Sequence, residues 1–202
     1  MKIAILGFGH VGRTLAARLQ DVGYEVIVGS RSVPEEGVAC PFLSPRDAAE
    51  TADVIVLAIP FHACAEVLPE LADVTRGKTV IDCTNPLNPD WTPKLLGQEH
   101  SAGEEINRLL PEARIVKAFN TIFADVMGQA KVDGKSVTAF IAGDDEAAKQ
   151  EVMSIARNIG CTPLDTGSLS VARYLESMAH LNIQIAIGRG GGTNAALVYL
   201  RD

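Results

Sequence analysis

A doubly wound α/β fold, built on a mainly parallel sheet and closed by a C-terminal helical tail, is predicted by three observations. The chain opens with an apolar run over 2–6 that passes straight into a glycine-rich turn, LGFGHVG at 6–12. Five further apolar runs follow, separated by segments with helical spacing. The chain has 202 residues, 47% apolar and 21% charged, enough for one good core of ordinary globular composition. Strands alternating with helices imply βαβ units with right-handed crossovers, the Rossmann arrangement.

Each element has its own reason. Residues 2–6 form a continuous apolar run, as a buried parallel strand requires. Val11, Leu15, Leu19 and Val22 then recur at helical spacing, and Gly23 stands where a helix stop is expected. The second strand is 25–28. Ser44, Pro45 and Asp47 mark a helix start: a cap, a first-turn proline and a first-turn acid. Strands are expected at 53–59, 78–83, 114–119 and 136–142, with a helical stripe at Ile106, Leu109 and Leu110. Asp144, Asp145 and Glu146 put negative charge at the start of the next helix, which favours the dipole. Ala148, Val152, Ile155, Ala156 and Ile159 give that helix its apolar face, and Gly160 ends it before a last strand at 162–166. The stretch 86–100 holds three prolines and reads as a loop over the sheet's carboxyl edge. Ser168 is placed as the cap of a tail helix running to about 187, and AALVYL at 195–200 as a short final strand. Residues 1–167 are expected to form the dinucleotide-binding domain, with 168–202 packed on it as one compact unit.

Totals exclude several classes. A formal net charge of −7, with no run of Lys or Arg, argues against nucleic-acid binding. No apolar stretch approaches the ~18 residues of a membrane span. Cys40, Cys64, Cys83 and Cys161 are too scattered for paired chemistry and read as buried thiols in a reducing, cytoplasmic setting. His62 and Cys64 would make half a metal site, and no partner pair is visible, so no metal is expected. The second half of the tail helix, MAHLNIQIAIG, is apolar on most sides and needs cover, from the sheet's ligand face or from a second subunit.

The glycine turn carries the chemistry. Gly7, Gly9 and Gly12 make G-x-G-x-x-G, with Phe8, His10 and Val11 between them. The first glycine permits the tight strand-to-helix turn, the second lets backbone approach a pyrophosphate, and the third lets helix and strand pack closely. The free N–H groups at the helix start favour an anion there. In such a site the second strand should end in Asp or Glu to hold a ribose hydroxyl; here it ends in Gly29, Ser30 and Arg31. A carboxylate repels a 2′-phosphate, whereas an arginine meets it with a planar fork. The stretch VIVGSR at 26–31 therefore selects NADP(H) over NAD(H).

Several further stretches, taken with LGFGHVG and VIVGSR, carry a resemblance that spans nearly the whole chain. They are LAIPFHACAEVL at 57–68, VIDCTNPL at 80–87, VKAFNTIFADVM at 116–127 and the segment 142–176 from AGDDEAA to RYLE. The chain resembles the NADP oxidoreductases that use the deazaflavin coenzyme F-420 (F420 below), and is similar to the cytosolic NADPH-binding domain of the STEAP-type metalloreductases. The resemblance implies hydride transfer between NADP(H) and a flat acceptor, deazaflavin or flavin. It also implies that Ile59, Pro60, Phe61 and Ala65 border the dinucleotide after the third strand, Asn85 after the fourth, and Asn120, Thr121 and Ala124 after the fifth. The chain departs from the family pattern after Arg31, where Ser32, Val33 and Pro34 lead into Glu35 and Glu36 with no lysine nearby. The glycines of 188–193 could lie against the acceptor or form a plain turn. Hydride transfer between stacked rings needs orientation more than acid–base groups, so no catalytic side chain is expected. A small-molecule acceptor and a homodimer are the expected partners. Two alternatives stand beside this reading. One is an imine, 3-hydroxyacid or pyrroline-carboxylate reductase, for which the tail leaves little room. The other is a non-catalytic NADPH sensor or partner-binding module.

Overall fold

The computed structural model describes residues 1–32, 40–97 and 99–201. The strands are β1 (Lys2–Leu6), β2 (Glu25–Gly29), β3 (Phe42–Leu43), β4 (Val54–Leu57) and β5 (Thr79–Asp82). They continue with β6 (Arg114–Lys117), β7 (Lys131–Val132), β8 (Lys135–Ser136), β9 (Thr138–Gly143) and β10 (Thr162–Gly167). The helices are α1 (His10–Asp21), α2 (Pro45–Thr51), α3 (Cys64–Val67) and α4 (Ala102–Leu109), then α5 (Ala124–Met127), α6 (Glu146–Asn158) and α7 (Ala172–Ile183). Val33, Pro34, Glu35 and Glu36, where the sequence departs from the family pattern, lie outside the described residues.

Eight strands form one sheet in the order β10-β9-β6-β5-β4-β1-β2-β3. Ile3 of β1 stands beside Val26 on one side and Val54 on the other, both in parallel register. The chain winds outward from β1 to β3, then returns to β4 and winds the other way. Strand order thus reverses between β1 and β4, and crevices for ligands open at the carboxyl ends there. Alternate residues of each strand feed two cores. Ile3, Ile5, Val54 and Val56 pack with Leu15 and Leu19 of α1 and Val152 and Ile155 of α6. Ala4, Leu6, Ile55 and Leu57 pack with Ala48 of α2, Leu68, Ile106 of α4 and Ala172 of α7. Helices on both faces explain why β1 and β4 read as unbroken apolar runs.

Helix punctuation follows the sequence at several points. Gly23 (φ 90°) and Gly160 (φ 97°) take the left-handed conformation just past α1 and α6. Ser44 Oγ accepts from Asp47 N at 3.1 Å, and Asp145 Oδ1 accepts from Ala148 N at 2.8 Å.

The sheet itself is mainly parallel, as expected, with one antiparallel pairing: β9 runs antiparallel to β6 while β10 runs parallel to β9. A parallel pairing needs a crossover, usually a helix of a dozen residues; this connection holds only the four-residue α5 and the β7–β8 hairpin. Three expectations about the tail are corrected. The tail helix is broken into a 3₁₀ turn at Leu169–Val171, α7 proper, and a π turn at Gln184–Gly188. Its first N–H is not capped by Ser168, whose hydroxyl pairs with Ser170 Oγ at 2.7 Å; Leu169 N donates instead to Asp144 Oδ1 at 2.9 Å. Residues 195–200 form no strand, although Thr138 N donates to Leu197 O at 3.3 Å and Tyr199 N to Thr138 Oγ1 at 2.9 Å. Among the described residues no helix is long and apolar enough to cross a membrane, and no three His, Cys, Asp or Glu side chains cluster as metal ligands.

Candidate functional site

The glycine turn is shaped by contact at two glycines and by openness at the third. A Cβ on Gly7 would come within 2.5 Å of Ala58 O, and one on Gly12 within 2.2 Å of Gly7 O. A Cβ on Gly9 would meet nothing within 4 Å. Gly7 and Gly12 therefore serve the packing of strand, turn and helix, while Gly9 faces free space at the start of α1. Phe8 is fixed from two sides: its ring meets Phe42 edge-on at 5.1 Å, and the Arg13 guanidinium lies 5.0 Å over it. Arg13 Nε also donates to Phe8 O at 3.1 Å. The cradle fits a dinucleotide: an open backbone approach, a helix of twelve residues behind it, and no side chain in the way.

At the end of β2, Ser30 N donates to Leu43 O at 3.1 Å. Ser30 Oγ accepts from Ser32 N at 3.3 Å, so its hydroxyl hydrogen is left to donate outward. Arg31 reaches Glu66 of the α3 segment at 3.9 Å, both side chains about four-fifths exposed (81% and 79%). Ile59, Pro60 and Phe61 follow β4 into a 3₁₀ turn, with Ala65 on α3 behind them.

Beyond the turn lies a cavity of about 370 Å³ with a mainly apolar lining. It brings together six of the residues expected from the sequence: His10, Val11, Asn85, Asn120, Thr121 and Ala124. Gly7, Phe8, Gly9, Gly12, Ser30, Arg31, Ile59, Pro60, Phe61 and Ala65 do not line it. Sequence reasoning missed Cys83, Trp91, Phe123, Asn182, Ile183 and Ile187, which do. For the last three the signal was present, in the all-round apolar character of the tail helix. His62, by contrast, is exposed and lies outside this cavity.

Two asparagines set the crevice floor. Asn85 Nδ2 donates to Asn120 O at 2.8 Å, and Asn120 Nδ2 donates to Asn85 Oδ1 at 2.9 Å and to Leu175 O at 3.1 Å. The turn that carries Asn120 starts with Phe119 in the left-handed region, φ 63°. The turn chemistry of these residues therefore sits in side chains that also line the crevice.

A buried ion cluster lies on the same strands. Lys117 Nζ donates to Asp82 Oδ2 at 2.8 Å and Thr84 O at 2.6 Å, and lies 2.9 Å from Glu176 Oε1. Glu176 also accepts from Ala102 N and Gly103 N, the first N–H groups of α4, at 3.0 and 3.1 Å. One turn on, His180 Nε2 pairs with Pro86 O at 2.9 Å, and burial pulls its pKa below the ordinary histidine value. Glu176 and His180 thus pin α7 against the crevice from below.

The thiols offer no nucleophile. All four cysteines are free; three are buried and Cys83 is half-buried on the crevice wall. Burial pushes the Cys83 thiol far up, and Cys64 up to about 12, so both stay protonated near neutrality.

Comparison with known proteins bears on this geometry. Residues 2–86 match the family described as NADP oxidoreductase, coenzyme F420-dependent. The chain is 32% identical to the F420-dependent NADP reductase of Methanothermobacter marburgensis, over 93% of each chain. It is 36% identical to the metalloreductase STEAP3 of Rattus norvegicus over 88% of its own length, but spans only 36% of that protein. The crystal structure of a candidate F420-dependent NADP reductase from Arthrobacter sp. FB24 superposes with a TM-score of 0.90 at 31% identity, covering all of both chains. With an open glycine turn, a mainly parallel sheet and full-length relatives of this kind, the chain belongs to the family of coenzyme F420-dependent NADP oxidoreductases.

Proposed function

We propose that this protein moves hydride between NADP(H) and a flat tricyclic acceptor, a deazaflavin such as F420 or a flavin, as a homodimer in the cytoplasm. The observation that carries the reading is a continuity: His10 and Val11, which open α1 behind the glycine turn, also line the apolar crevice. A dinucleotide held over Gly7, Phe8, Gly9 and Gly12 has somewhere apolar to put its far end. Bound NADP(H) supplies or takes the hydride at the nicotinamide ring. Everything else falls to the chain's own residues. Ser30 and Arg31 hold the adenosine end and its 2′-phosphate. Ile59, Pro60, Phe61 and Ala65 wall that half. Asn85, Asn120, Thr121 and Ala124 border the nicotinamide half. The apolar lining excludes water where the rings meet, and no side chain acts as acid, base or nucleophile.

The outer face of α7 supports the homodimer. Tyr174 (64%) and Leu181 (61%) stand exposed on it and Ile185 (51%) on the π turn that follows, apolar side chains that a second subunit would cover. Light scattering on the purified protein tests this.

Titration with NADPH and with NADH, followed by nicotinamide fluorescence, tests the cofactor. Adding FMN and then F420 to the same cuvette tests the acceptor. Tight NADPH binding with turnover of either acceptor supports the proposal. NADPH binding with no turnover favours a sensor that docks a partner through α7, and equal binding of both nucleotides removes the role given to Arg31.

A further inference from the structure

Trp91 is the chain's only tryptophan. It lines the mouth of the crevice and is 59% exposed. Its backbone lies in the left-handed region at φ 66°. A bulky residue stays there only where its surroundings over-determine it. They do so here. Asn88 N donates to Thr92 O at 2.8 Å and Trp91 N to Asn88 O at 3.0 Å. Asn88 Nδ2 donates to Thr92 Oγ1 at 3.0 Å and to Pro93 O at 3.2 Å. Thr92 Oγ1 donates to Asp90 Oδ1 at 2.6 Å, and Leu87 bridges to Pro93. The turn is closed by its own hydrogen bonds, and its tip holds an indole that is packed on no core. Glycine would relax the backbone, and a polar side chain would suit the exposure. Neither folding requirement accounts for tryptophan at this position.

We propose that Trp91 is the positioning residue of the acceptor half of the crevice, with its indole as the wall on which a fused planar heteroaromatic ring stacks. This rests on the hydride-transfer reading above. Phe123, Ile183 and Ile187 supply apolar contact elsewhere on the same cavity, so a flat ring is held against aliphatic groups while the indole fixes its plane. The hydrogen-bonded turn matters because ring-to-ring hydride transfer depends on that plane.

The test uses full-length protein loaded with NADP⁺ and titrated with FMN and, separately, with F420. Wild type is compared with W91F, W91A and W91G, and flavin emission is the readout. Stacked indole quenches that emission on contact, so wild type quenches and W91A does not. W91A and W91G weaken acceptor binding roughly tenfold, the scale of losing one stacking partner, while W91F stays within about threefold. NADPH affinity is unchanged in all three. W91G melts no lower than wild type, because glycine relieves the left-handed backbone; this separates ligand loss from misfolding. Acceptor binding and quenching unchanged in W91A overturn the assignment, as does a change in subunit assembly with acceptor KM unchanged. If wild type itself binds neither probe, the hydride-transfer reading fails and the assignment fails with it.

Discussion

Lys117→Met removes the one cation from a fully buried site that holds two carboxylates. The lysine is inaccessible to solvent, and its Nζ has three N–H groups facing three acceptors, at 2.6, 2.8 and 2.9 Å. Without it, Asp82 keeps only Thr84 N at 2.8 Å, and Glu176 keeps only the two N–H groups of α4. Neither carboxylate is fully satisfied, and breaking a buried pair from one side costs about 3–5 kcal/mol. With a urea slope of roughly 2–3 kcal/mol/M, the midpoint should fall by about 1–2.5 M at constant slope. Far-UV circular dichroism in urea reads this directly. The triple variant D82L/K117M/E176L should regain part of the loss, since an apolar replacement leaves no unpaired charge. The pH dependence has a defined sign. Burial pulls the Lys117 pKa down, but Asp82 and Glu176 outweigh it and hold the net value above the ordinary lysine range. Its stabilisation is therefore complete below the unfolded value, about 10.4, and is lost only as pH rises through the higher folded value. The difference between wild type and K117M should be flat from about pH 7 to 9 and shrink in stronger alkali. A midpoint shift below about 0.3 M, or a triple variant no better than the single one, would refute the reasoning.

Other outcomes follow from the same geometry. G9A should fold with stability within about 0.5 kcal/mol of wild type, because nothing lies near its Cβ, yet bind NADPH far more weakly. G12A should lose about 1–3 kcal/mol in the same urea assay, because its Cβ would be driven into Gly7 O at 2.2 Å. R31A should weaken NADPH about tenfold or more and leave NADH nearly unchanged, which isothermal titration reads. The Arg46 guanidinium beside Asp73 holds that carboxyl at about 2. Its contribution is present above about pH 4 and lost as pH falls towards 2, so the acid limb of a melting-temperature profile should flatten in D73N, and less so in high salt.

The sequence was most legible where chemistry is local. Unbroken apolar runs identified β1 and β4 because helices cover both faces of the sheet, and G-x-G-x-x-G located the turn because each glycine answers a local steric demand. What escaped was set by distance. An apolar run marks β9 as a strand but carries no sign of its direction, which depends on how the chain travels through 118–137. Ser168 was a sound local choice of cap, but Asp144, 25 residues away from Leu169, holds the N–H instead. Lys117 stands in a strand between apolar neighbours, and its separation of 35 positions from Asp82 hides the reason it is tolerated there. The crevice wall fared likewise: the asparagines of 85 and 120 could be placed at strand ends, whereas Trp91 and Phe123 become neighbours of the site only in the folded chain.

The ion cluster also imposes an order in time. Its partners are made far apart: 74 residues separate Ala102, whose N–H Glu176 accepts, from Glu176 itself. At a synthesis rate of about 5–20 residues per second, the growing chain waits on the order of 4–15 s between them. Once Lys117 itself is made, it has Asp82 but not Glu176, and the first N–H groups of α4 have no carboxylate. The central strands can pair while the chain is still being made. The crevice takes its final form only when α7 arrives and its glutamate closes the cluster, so the last helix to be synthesised finishes the site begun by the first strand.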